Sequence, residues 1–362
     1  MPRLSVRILL PLALAACSSP EQLVTPDVES LTVSNAKAAP TSAYTPADLG
    51  VFPGDHEAYA WAVNNSGNVV VQSIYYPPNG GPGVGRWYVK TGSSIWSLDS
   101  GIIRAISGGS PTYVMTSVPR GLLHTFSTAG GFSAPLLLDA INEHTGNARA
   151  VNDLGVSAGA VGWYDGTQGR NEAAIWNPDG TGSSIPNPGS YAYGEARDIN
   201  NSSDIVIEYN GRNVIPDRGY LRTTEGAMIE LLPLPGHRST YARGVSERIN
   251  GMIYVAGISD DDNGRYSTIR WAVDVVSGAV TAEIGQAQSY SMAMTDDGSI
   301  VGVISGASTS GFIWKRGSAT TALKTPKGSG NGRVWGVSGD GRYIAGDAKF
   351  GSYRRAVLWT AP

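Results

Sequence analysis

The sequence has a single cysteine, Cys17, among its 362 residues, so no disulfide can form within the chain. Charged residues are scarce at 16%, and Lys and Arg are not concentrated in any stretch. Binding to DNA or RNA requires a basic face that replaces condensed counterions, so this composition argues against a nucleic-acid partner. The four histidines show no metal-ligand spacing. We therefore expect no metal site and no cofactor.

Glycine is abundant, with 47 residues, and 41% of the chain is hydrophobic. Frequent glycine with few charges is typical of short strands that are joined by tight turns. The composition therefore predicts an all-β protein, and a single β domain can reach this length. Without disulfides, such a domain must be stabilised by packing, and we expect it to be a monomer.

The first residues have the three-part pattern of an export signal. Arg3 and Arg7 precede an apolar run over residues 8–14, and small residues follow. Residues 14–17 (Leu-Ala-Ala-Cys) resemble a bacterial lipobox, which implies cleavage before Cys17 and lipidation of its thiol. An ordinary signal peptide with a chance cysteine is the other interpretation. Ser18, rather than Asp, follows the cysteine, and by the same resemblance this implies sorting to the outer membrane of a Gram-negative cell.

The sequence thus divides into a signal peptide (1–16), a lipidated tether (17–46) and a folded part (47–362). The tether is rich in Ser, Thr, Pro and Ala and has no sustained apolar period. Such a segment cannot bury enough surface to offset its conformational entropy, so we expect it to be flexible. The expected location is the cell envelope, with the membrane as one partner.

The folded part contains one unit that recurs seven times. Each copy has an anchor, which is an apolar residue followed by Asn, Ser or Thr, and the intervals between anchors are 43, 45, 48, 46, 49 and 43 residues. A spacing in the forties with several short strands predicts a seven-bladed β-propeller of four-stranded blades. The anchors are Val63-Asn64, Ile106-Ser107, Val151-Asn152, Ile199-Asn200, Val245-Ser246, Met294-Thr295 and Val337-Ser338.

Other positions repeat with the anchor. Glycine lies four residues after it in four copies, where a hairpin turn requires positive φ. A large residue lies 20 to 26 positions after it, and we expect this set to fill the core between blades, with ligand contact as the other interpretation. The set comprises Trp87, Phe126, Trp176, Leu221, Trp271, Trp314 and Trp359.

The last copy ends one strand short, because the chain stops at Pro362. Residues 47–52 precede the first anchor where a fourth strand is expected. We therefore predict that these residues pair with the C-terminal strand and complete the last blade, which leaves no large exposed strand edge.

Residues 47–362 resemble the HAF-type extracellular repeat. The resemblance is closest at Asp48, Leu49 and Gly50 and at residues 62–67, 150–153 and 299–302. It implies an extracellular propeller-like module and carries no catalytic residues. The second and fourth copies depart from the pattern because they lack the turn glycine. In its hairpin turn, the last copy is also similar to the repeat of TolB-type propellers.

One repeated position predicts a ligand site. Two residues before the anchor, four successive copies have arginine and two others tryptophan, and tyrosine recurs two residues earlier. Several guanidinium groups together would select an anionic ligand such as a uronic acid, a phosphate or a peptide carboxylate. The alternative is that each arginine bonds backbone carbonyls or a nearby carboxylate. The candidate residues are Arg104, Arg149, Arg197, Arg243, Trp61, Trp335, Tyr59, Tyr241 and Tyr290.

The sequence favours a non-enzymatic binding or scaffold protein that holds an unknown protein or an anionic glycan, and it identifies no catalytic residue. An envelope polysaccharide lyase or hydrolase is the alternative, with Glu57, Glu195 and Asp198 as the carboxylates to test. The acidic loop at residues 259–264 matches a Ca²⁺ loop poorly, because Ser259 and Arg270 stand at its two end positions. A solvated hairpin tip is the simpler interpretation of that loop.

Overall fold

The computed structural model describes residues 23–24, 31–32, 43–98, 101–117, 121–164, 166–212, 215–261, 263–306 and 309–362. Within these residues every regular element is a β-strand, so the predicted all-β class is confirmed. They include no helix that could cross a membrane. The predicted signal peptide, Cys17 and most of the tether lie outside the described residues, and their assignments remain predictions.

The strands fall, in chain order, into seven units. Before the units come β1 (Leu23–Val24), β2 (Leu31–Thr32) and β3 (Thr45–Gly50). Unit 1 contains β4 (Glu57–Val63), β5 (Val69–Tyr75), β6 (Val84–Thr91) and β7 (Ser94–Ser97). Unit 2 contains β8 (Ile102–Ile106), β9 (Thr112–Ser117), β10 (Leu122–Ser127), β11 (Gly131–Phe132) and β12 (Leu136–Leu137). Unit 3 contains β13 (Gly146–Val151), β14 (Ser157–Tyr164), β15 (Gly169–Trp176) and β16 (Gly182–Ser184).

Unit 4 contains β17 (Tyr193–Ile199), β18 (Ile205–Asn210), β19 (Arg218–Arg222) and β20 (Met228–Leu231). Unit 5 contains β21 (Ser239–Val245), β22 (Met252–Asp260), β23 (Tyr266–Asp274) and β24 (Val280–Ala287). Unit 6 contains β25 (Ser289–Met294), β26 (Ile300–Ile304), β27 (Ser310–Trp314) and β28 (Thr320–Ala322). Unit 7 contains β29 (Gly332–Val337), β30 (Tyr343–Phe350) and β31 (Tyr353–Thr360).

Within each unit, consecutive strands pair in antiparallel fashion, except that β11 and β12 both pair with β10. Units 3 and 4 belong to one sheet because a parallel bridge joins Asn171 to Tyr193. Strand β1 pairs in parallel with β20, and β2 with β24. The described residues therefore form six sheets, nearly all of whose strand pairs are antiparallel.

Strand β3 lies against the far end of the chain. It pairs with β31 in antiparallel register, with Thr45 opposite Thr360 and Ala47 opposite Leu358. The hydroxyl of Tyr44, just before β3, donates a hydrogen bond to the carbonyl of Gly341 at 2.5 Å. The pairing that the sequence predicted for residues 47–52 is thus present, although the strand begins two residues earlier and ends at Gly50.

In the four copies with glycine, the hairpin turn after the anchor has the conformation that the sequence predicts. Gly67, Gly155, Gly298 and Gly341 have φ values between 72° and 84°. In the fourth copy, which lacks the glycine, Ser203 takes the same position with φ of 64°. Because left-handed backbone is costly for residues with a Cβ, this turn carries strain that the surrounding hairpin must hold.

The hydrophobic core consists of seven clusters, each combining residues of two neighbouring units. One cluster joins units 7 and 1, where Ala345 and Ala356 pack with Ala60 and Val71. The predicted core set is largely buried, with Trp176, Trp271, Trp314 and Trp359 each at 2% exposure or less. Trp87 is the exception.

Trp87 is half-buried, and its ring lies 6.2 Å from that of Trp61. Its neighbour Tyr88 takes the fully buried place, at 3% exposure, whereas Trp87 packs at the edge of the cluster between units 1 and 2, so the core prediction is met only in part. The shift follows from the pleat, because adjacent residues of a strand point to opposite faces.

Three anchors also link neighbouring units through hydrogen bonds. The side-chain amide of Asn64 donates to the carbonyl of Ser107, that of Asn152 to Asn200, and that of Asn200 to Ser246. Anchors with Ser or Thr instead bond within their own hairpin, as Ser107 does when its hydroxyl accepts from the backbone of Tyr113. Asn at the anchor therefore adds a hydrogen bond between units that the shorter side chain of Ser cannot form.

Candidate functional site

Every first strand of a unit has a β-bulge at the same place. In each pairing of first and second strands, the register shifts across one residue, which lies two positions before the anchor. A bulge bends the strand and re-aims the side chain of the extra residue. The seven bulge residues are Trp61, Arg104, Arg149, Arg197, Arg243, Met292 and Trp335.

All seven bulge residues line one cavity of about 620 Å³, which we call the arginine cavity. Tyr290 lines it as well, whereas Tyr59 and Tyr241 are not among its lining residues. These two tyrosines lie beside it: the ring of Tyr59 is 6.4 Å from that of Trp61, and the guanidinium of Arg243 is 6.0 Å from the ring of Tyr241. The remaining lining residues are Gln72, Trp87, Ile102, Ile103, Ile258 and Ser291.

One position on the second strand is close to the bulge residue: the residue that pairs with the position two places before the bulge. Where that position is polar, the two side chains bond. Trp61 donates to Gln72 at 3.2 Å, Arg104 to Ser117 at 2.9 Å and Arg197 to Glu208 at 2.8 Å. In unit 7, Trp335 donates to Asp347 at 2.6 Å.

In units 3 and 5 the facing position is apolar, with Ala160 and Ile258. The arginines of these units turn toward carboxylates of unit 4 instead. Arg149 forms an ion pair with Glu195, and the guanidinium of Arg243 lies 3.4 Å from Glu208. Unit 4 thus supplies both carboxylates of the cavity network.

Arg197 completes this network, at 2.8 Å from Glu195 and 2.8 Å from Glu208. Three guanidinium groups therefore share two carboxylates. These three arginines therefore make the contacts that the alternative interpretation expects, in which a nearby carboxylate neutralises each arginine. Burial lowers the pKa of Arg243, while Glu208 acts in the opposite sense.

Arg104 differs from the other three arginines. Within the described part of the chain, its only hydrogen-bond partner is the hydroxyl of Ser117, and no carboxylate lies within ion-pair distance. Burial lowers the pKa of Arg104, and the charge of Arg149 lowers it further, partly offset by Glu195. This guanidinium is the cation of the cavity that a ligand would neutralise.

The other half of the cavity is aromatic. The ring of Trp61 lies 4.9 Å from that of Trp335 and is stacked with Trp87. In the adjacent unit 6, Tyr290 stacks on Tyr266 at 4.1 Å, and burial raises the pKa of Tyr290 to about 12. Flat rings beside a group of cations suit a ligand that has both an apolar face and a negative charge.

Ser291 supplies a further polar group. Its side chain is completely buried, its residue lines the arginine cavity, and its hydroxyl has no hydrogen-bond partner among the described residues. A buried hydroxyl without a partner is costly to the fold. No sequence pattern marks this residue, because the position before the bulge residue is small in most units.

The anchors line a second and smaller cavity of about 140 Å³, the anchor pocket. It is acidic, with Asp153, Asp198, Glu247 and Asp296. Burial raises the pKa of Asp198 to about 7 and that of Asp296 to about 6, and neighbouring acids add to both shifts. The two oxygens of Asp198 accept backbone hydrogen bonds from Ile199 and Val245, at 3.0 Å each.

The carboxylates of the enzyme alternative do not share a cavity. Glu195 is bound to two arginines of the arginine cavity, and Asp198 lines the anchor pocket. Glu57 lines neither, and one of its oxygens accepts from the hydroxyls of Tyr59 and Tyr76. A glycosidase-type acid and base must flank one bond, so these three residues do not form such a pair.

The acidic loop at residues 259–264 is a hairpin tip. Asp261 accepts backbone hydrogen bonds from Asn263 and Arg265 and lies 3.3 Å from the Arg265 guanidinium. Asp262 lies outside the described residues. Across the part of the chain that is described, no cluster of His, Cys, Asp and Glu could hold a metal ion.

No family model and no curated protein matches this sequence. Solved structures do resemble it. An acylaminoacyl peptidase from Pyrococcus horikoshii has a TM-score of 0.55 at 10% identity, over 86% of this chain and 52% of that one. An acylaminoacyl peptidase in complex with a chloromethyl ketone has 0.54 at 12%, over 84% and 51%.

A prolyl endopeptidase structure gives a TM-score of 0.50 at 11% identity, over 82% of this chain and 45% of that one. This chain therefore spans about half the length of these solved structures. At such low identities the likeness shows the fold alone, which is of the β-propeller type. The HAF and TolB resemblances of the sequence remain predictions.

Proposed function

We propose that this protein is a lipid-anchored, non-enzymatic binding module of the cell envelope that holds an anionic ligand in its arginine cavity. The observation that carries the proposal is the charge of that cavity, where three guanidinium groups share two carboxylates and a fourth, Arg104, has only a hydroxyl partner among the described residues. The proposal has three parts: the ring, the lipid attachment and the ligand.

The ring is a closed seven-bladed propeller in which each unit is a blade. Two observations support it: one core cluster joins the last unit to the first, and β3 supplies the fourth strand of the last unit. Closing a sheet ring in this way removes the exposed edges that invite aggregation. The seven bulge residues would then surround one central funnel.

The lipid attachment is at Cys17, which is lipidated after removal of residues 1–16. The support is the sequence motif, and the test is direct. Expressed in a Gram-negative host, the full-length protein should incorporate radiolabelled palmitate and fractionate with the outer membrane. Cys17→Ala should lose the label, and a variant that still incorporates it would overturn this part.

The ligand carries a carboxylate or a phosphate. A guanidinium fork binds either group through two parallel hydrogen bonds. The apolar walls of the cavity would strengthen such bonds by excluding water. Binding, rather than turnover, is proposed because the candidate carboxylates are separated or bound to arginine.

The test is calorimetric titration of the full-length protein in detergent, at low salt, with three probes. These are a tetrasaccharide that carries a single glucuronate, inorganic phosphate, and a tripeptide with a free carboxylate. We expect one probe to bind and Arg104→Ala to weaken it by about tenfold or more. Arg342→Ala is the matched control, since Arg342 is exposed and bonds Asp340 in a turn after an anchor. Equal affinities of the wild type and Arg104→Ala for every probe would overturn the proposal.

A further inference from the structure

A row of aromatic side chains leads away from the arginine cavity across units 7 and 1. We call it the aromatic strip, and its members are Trp335, Trp61, Tyr59, Tyr76, His56 and Tyr353. The ring centroids of Trp335 and Trp61 are 4.9 Å apart, and those of Trp61 and Tyr59 are 6.4 Å apart. His56 lies 5.7 Å from Tyr76 and 5.8 Å from Tyr353.

Glu57 joins the two halves of the strip. One of its carboxylate oxygens accepts from the hydroxyl of Tyr59 at 2.9 Å and from that of Tyr76 at 2.8 Å. Burial, together with the bond and charge of Glu57, raises the pKa of Tyr59 to about 12, so this hydroxyl stays a donor. The backbone N–H of Tyr76 in turn donates to Nδ1 of His56 at 3.1 Å.

The strip lies on one end of the units, where the first strands begin. Glu57 opens β4 and pairs with Ile74 near the end of β5, while Tyr353 opens β31. Its inner members are half-buried, and its outer members are exposed, with Tyr76 at 38% and Tyr353 at 47%. The strip therefore continues the wall of the cavity onto the outer surface.

The basic side chains beside the strip are paired, whereas Glu57 within it has no ion pair among the described residues. Arg86 lies 3.3 Å from Asp55, and Arg333 lies 3.2 Å from Asp347, which also binds Arg354. The positive charge that lacks a carboxylate is at Arg104, inside the cavity. A ligand that used both regions would thus place its charged group in the cavity and an uncharged part on the strip.

We infer that the ligand is an acidic oligosaccharide, with one charged sugar in the arginine cavity and neutral sugars along the aromatic strip. The inference rests on the proposed function and specifies its ligand class. Pyranose rings present flat C–H faces that pack on aromatic rings, and their hydroxyls bond acceptors such as Glu57 between them. A short anion such as phosphate would leave the strip unused.

Three probes test the inference with the full-length protein in detergent: free glucuronate, a neutral tetrasaccharide, and the matching tetrasaccharide with one glucuronate. We expect the acidic tetrasaccharide to bind tightest and to lose about five- to tenfold in affinity in Tyr76→Ala and in Tyr353→Ala. Both side chains are exposed, so their removal should leave the fold intact. The matched control is Tyr164→Ala, which removes a tyrosine at 69% exposure from unit 3.

The outcomes separate this inference from the proposed function. If glucuronate and the acidic tetrasaccharide bind equally and neither tyrosine variant matters, the strip has no role and the inference is wrong, while the arginine cavity still binds an anion. If only phosphate or the tripeptide binds in an Arg104-dependent manner, the ligand class is wrong. If nothing binds through Arg104, the proposed function fails together with the inference.

Discussion

The guanidinium of Arg197 lies 2.8 Å from the carboxylate of Glu195, two residues earlier on the same strand. Residues two apart in a regular strand point to the same face with their side chains side by side. The bulge at Arg197 changes this geometry and lets its guanidinium reach Glu195 and Glu208 together. One carboxylate thereby contacts the arginines of two units.

Glu195→Gln should lower stability and strengthen anion binding. The variant keeps the shape of the side chain but removes the charge that Arg149 and Arg197 share. We expect the free energy of unfolding in urea to fall by about 1–3 kcal/mol, while affinity for the anionic probe rises and depends more steeply on salt. Glu225→Gln is the control, because Glu225 pairs with Arg248 at an exposed site. Weaker anion binding by Glu195→Gln would contradict the charge assignment.

The anchor pocket should make stability depend on pH. Burial raises the pKa of Asp198 to about 7 and that of Asp296 to about 6, whereas the usual value is 3.8. Between pH values of about 4 and 7, the folded state therefore holds more protons on these two carboxyls than the unfolded state does. Stability consequently falls as pH rises through this range. Unfolding followed in urea at pH 5 and at pH 8 measures this slope.

Asp296→Asn should reduce that slope. It removes one of the charges that raise the pKa of Asp198, and it removes a carboxyl whose own pKa is raised. At pH 8 we expect it to be more stable than the wild type by about 1 kcal/mol, a value discounted for the solvent that reaches this side chain. Asp179→Asn, on an exposed turn where hydrogen bonds from Thr181 lower the carboxyl pKa, should leave the slope unchanged. An unaltered slope in Asp296→Asn would contradict the assignment.

Asn152→Ser isolates the hydrogen bond between two units. Serine can still accept from the backbone of its own turn, as Ser107 does, but it cannot reach the carbonyl of Asn200. We expect a loss of about 1–2 kcal/mol in the free energy of unfolding. Asn177→Ser, at an exposed turn, should change stability by less than about 0.5 kcal/mol. Equal effects of the two substitutions would show that the hydrogen bond from Asn152 to Asn200 adds no stability.

The pairing of β3 with β31 predicts a sharp boundary for N-terminal truncation. A chain that starts at residue 43 keeps β3 and the Tyr44 bond to Gly341. A chain that starts at residue 52 exposes the edge of β31, so it should melt at lower temperature and self-associate. Thermal unfolding and light scattering after gel filtration compare the two. Identical melting and a monomeric shorter chain would argue against closure.

The sequence predicted the strands and turns well because their chemistry repeats. Positive φ needs glycine, and the space between sheets needs large apolar groups, so both kinds of position recur with the anchor. The prediction for Trp87 was met only in part, because a shift of one residue along a strand moves a side chain to the other face. In unit 1 the buried ring belongs to Tyr88.

The site was predicted only in part. The arginines could be found because their distance from the anchor is constant, and the bulge explains why that position faces the cavity. Their partners Ser117 and Glu208 could not be found, because the hairpin turns differ in length and move these residues relative to the anchor. Of the three tyrosines two residues before a bulge, Tyr290 lines the arginine cavity, whereas Tyr59 and Tyr241 lie beside it.

The bulge also affects how this protein can change over time. Because the backbone sets the direction of the bulge side chain, arginine, tryptophan and methionine occupy equivalent places without altering the strand pairing around them. A point mutation at any one of these places would change one side chain that lines the arginine cavity while leaving the strand pairing around it intact. Related proteins could therefore acquire new ligand preferences one repeat at a time, without first acquiring a new fold.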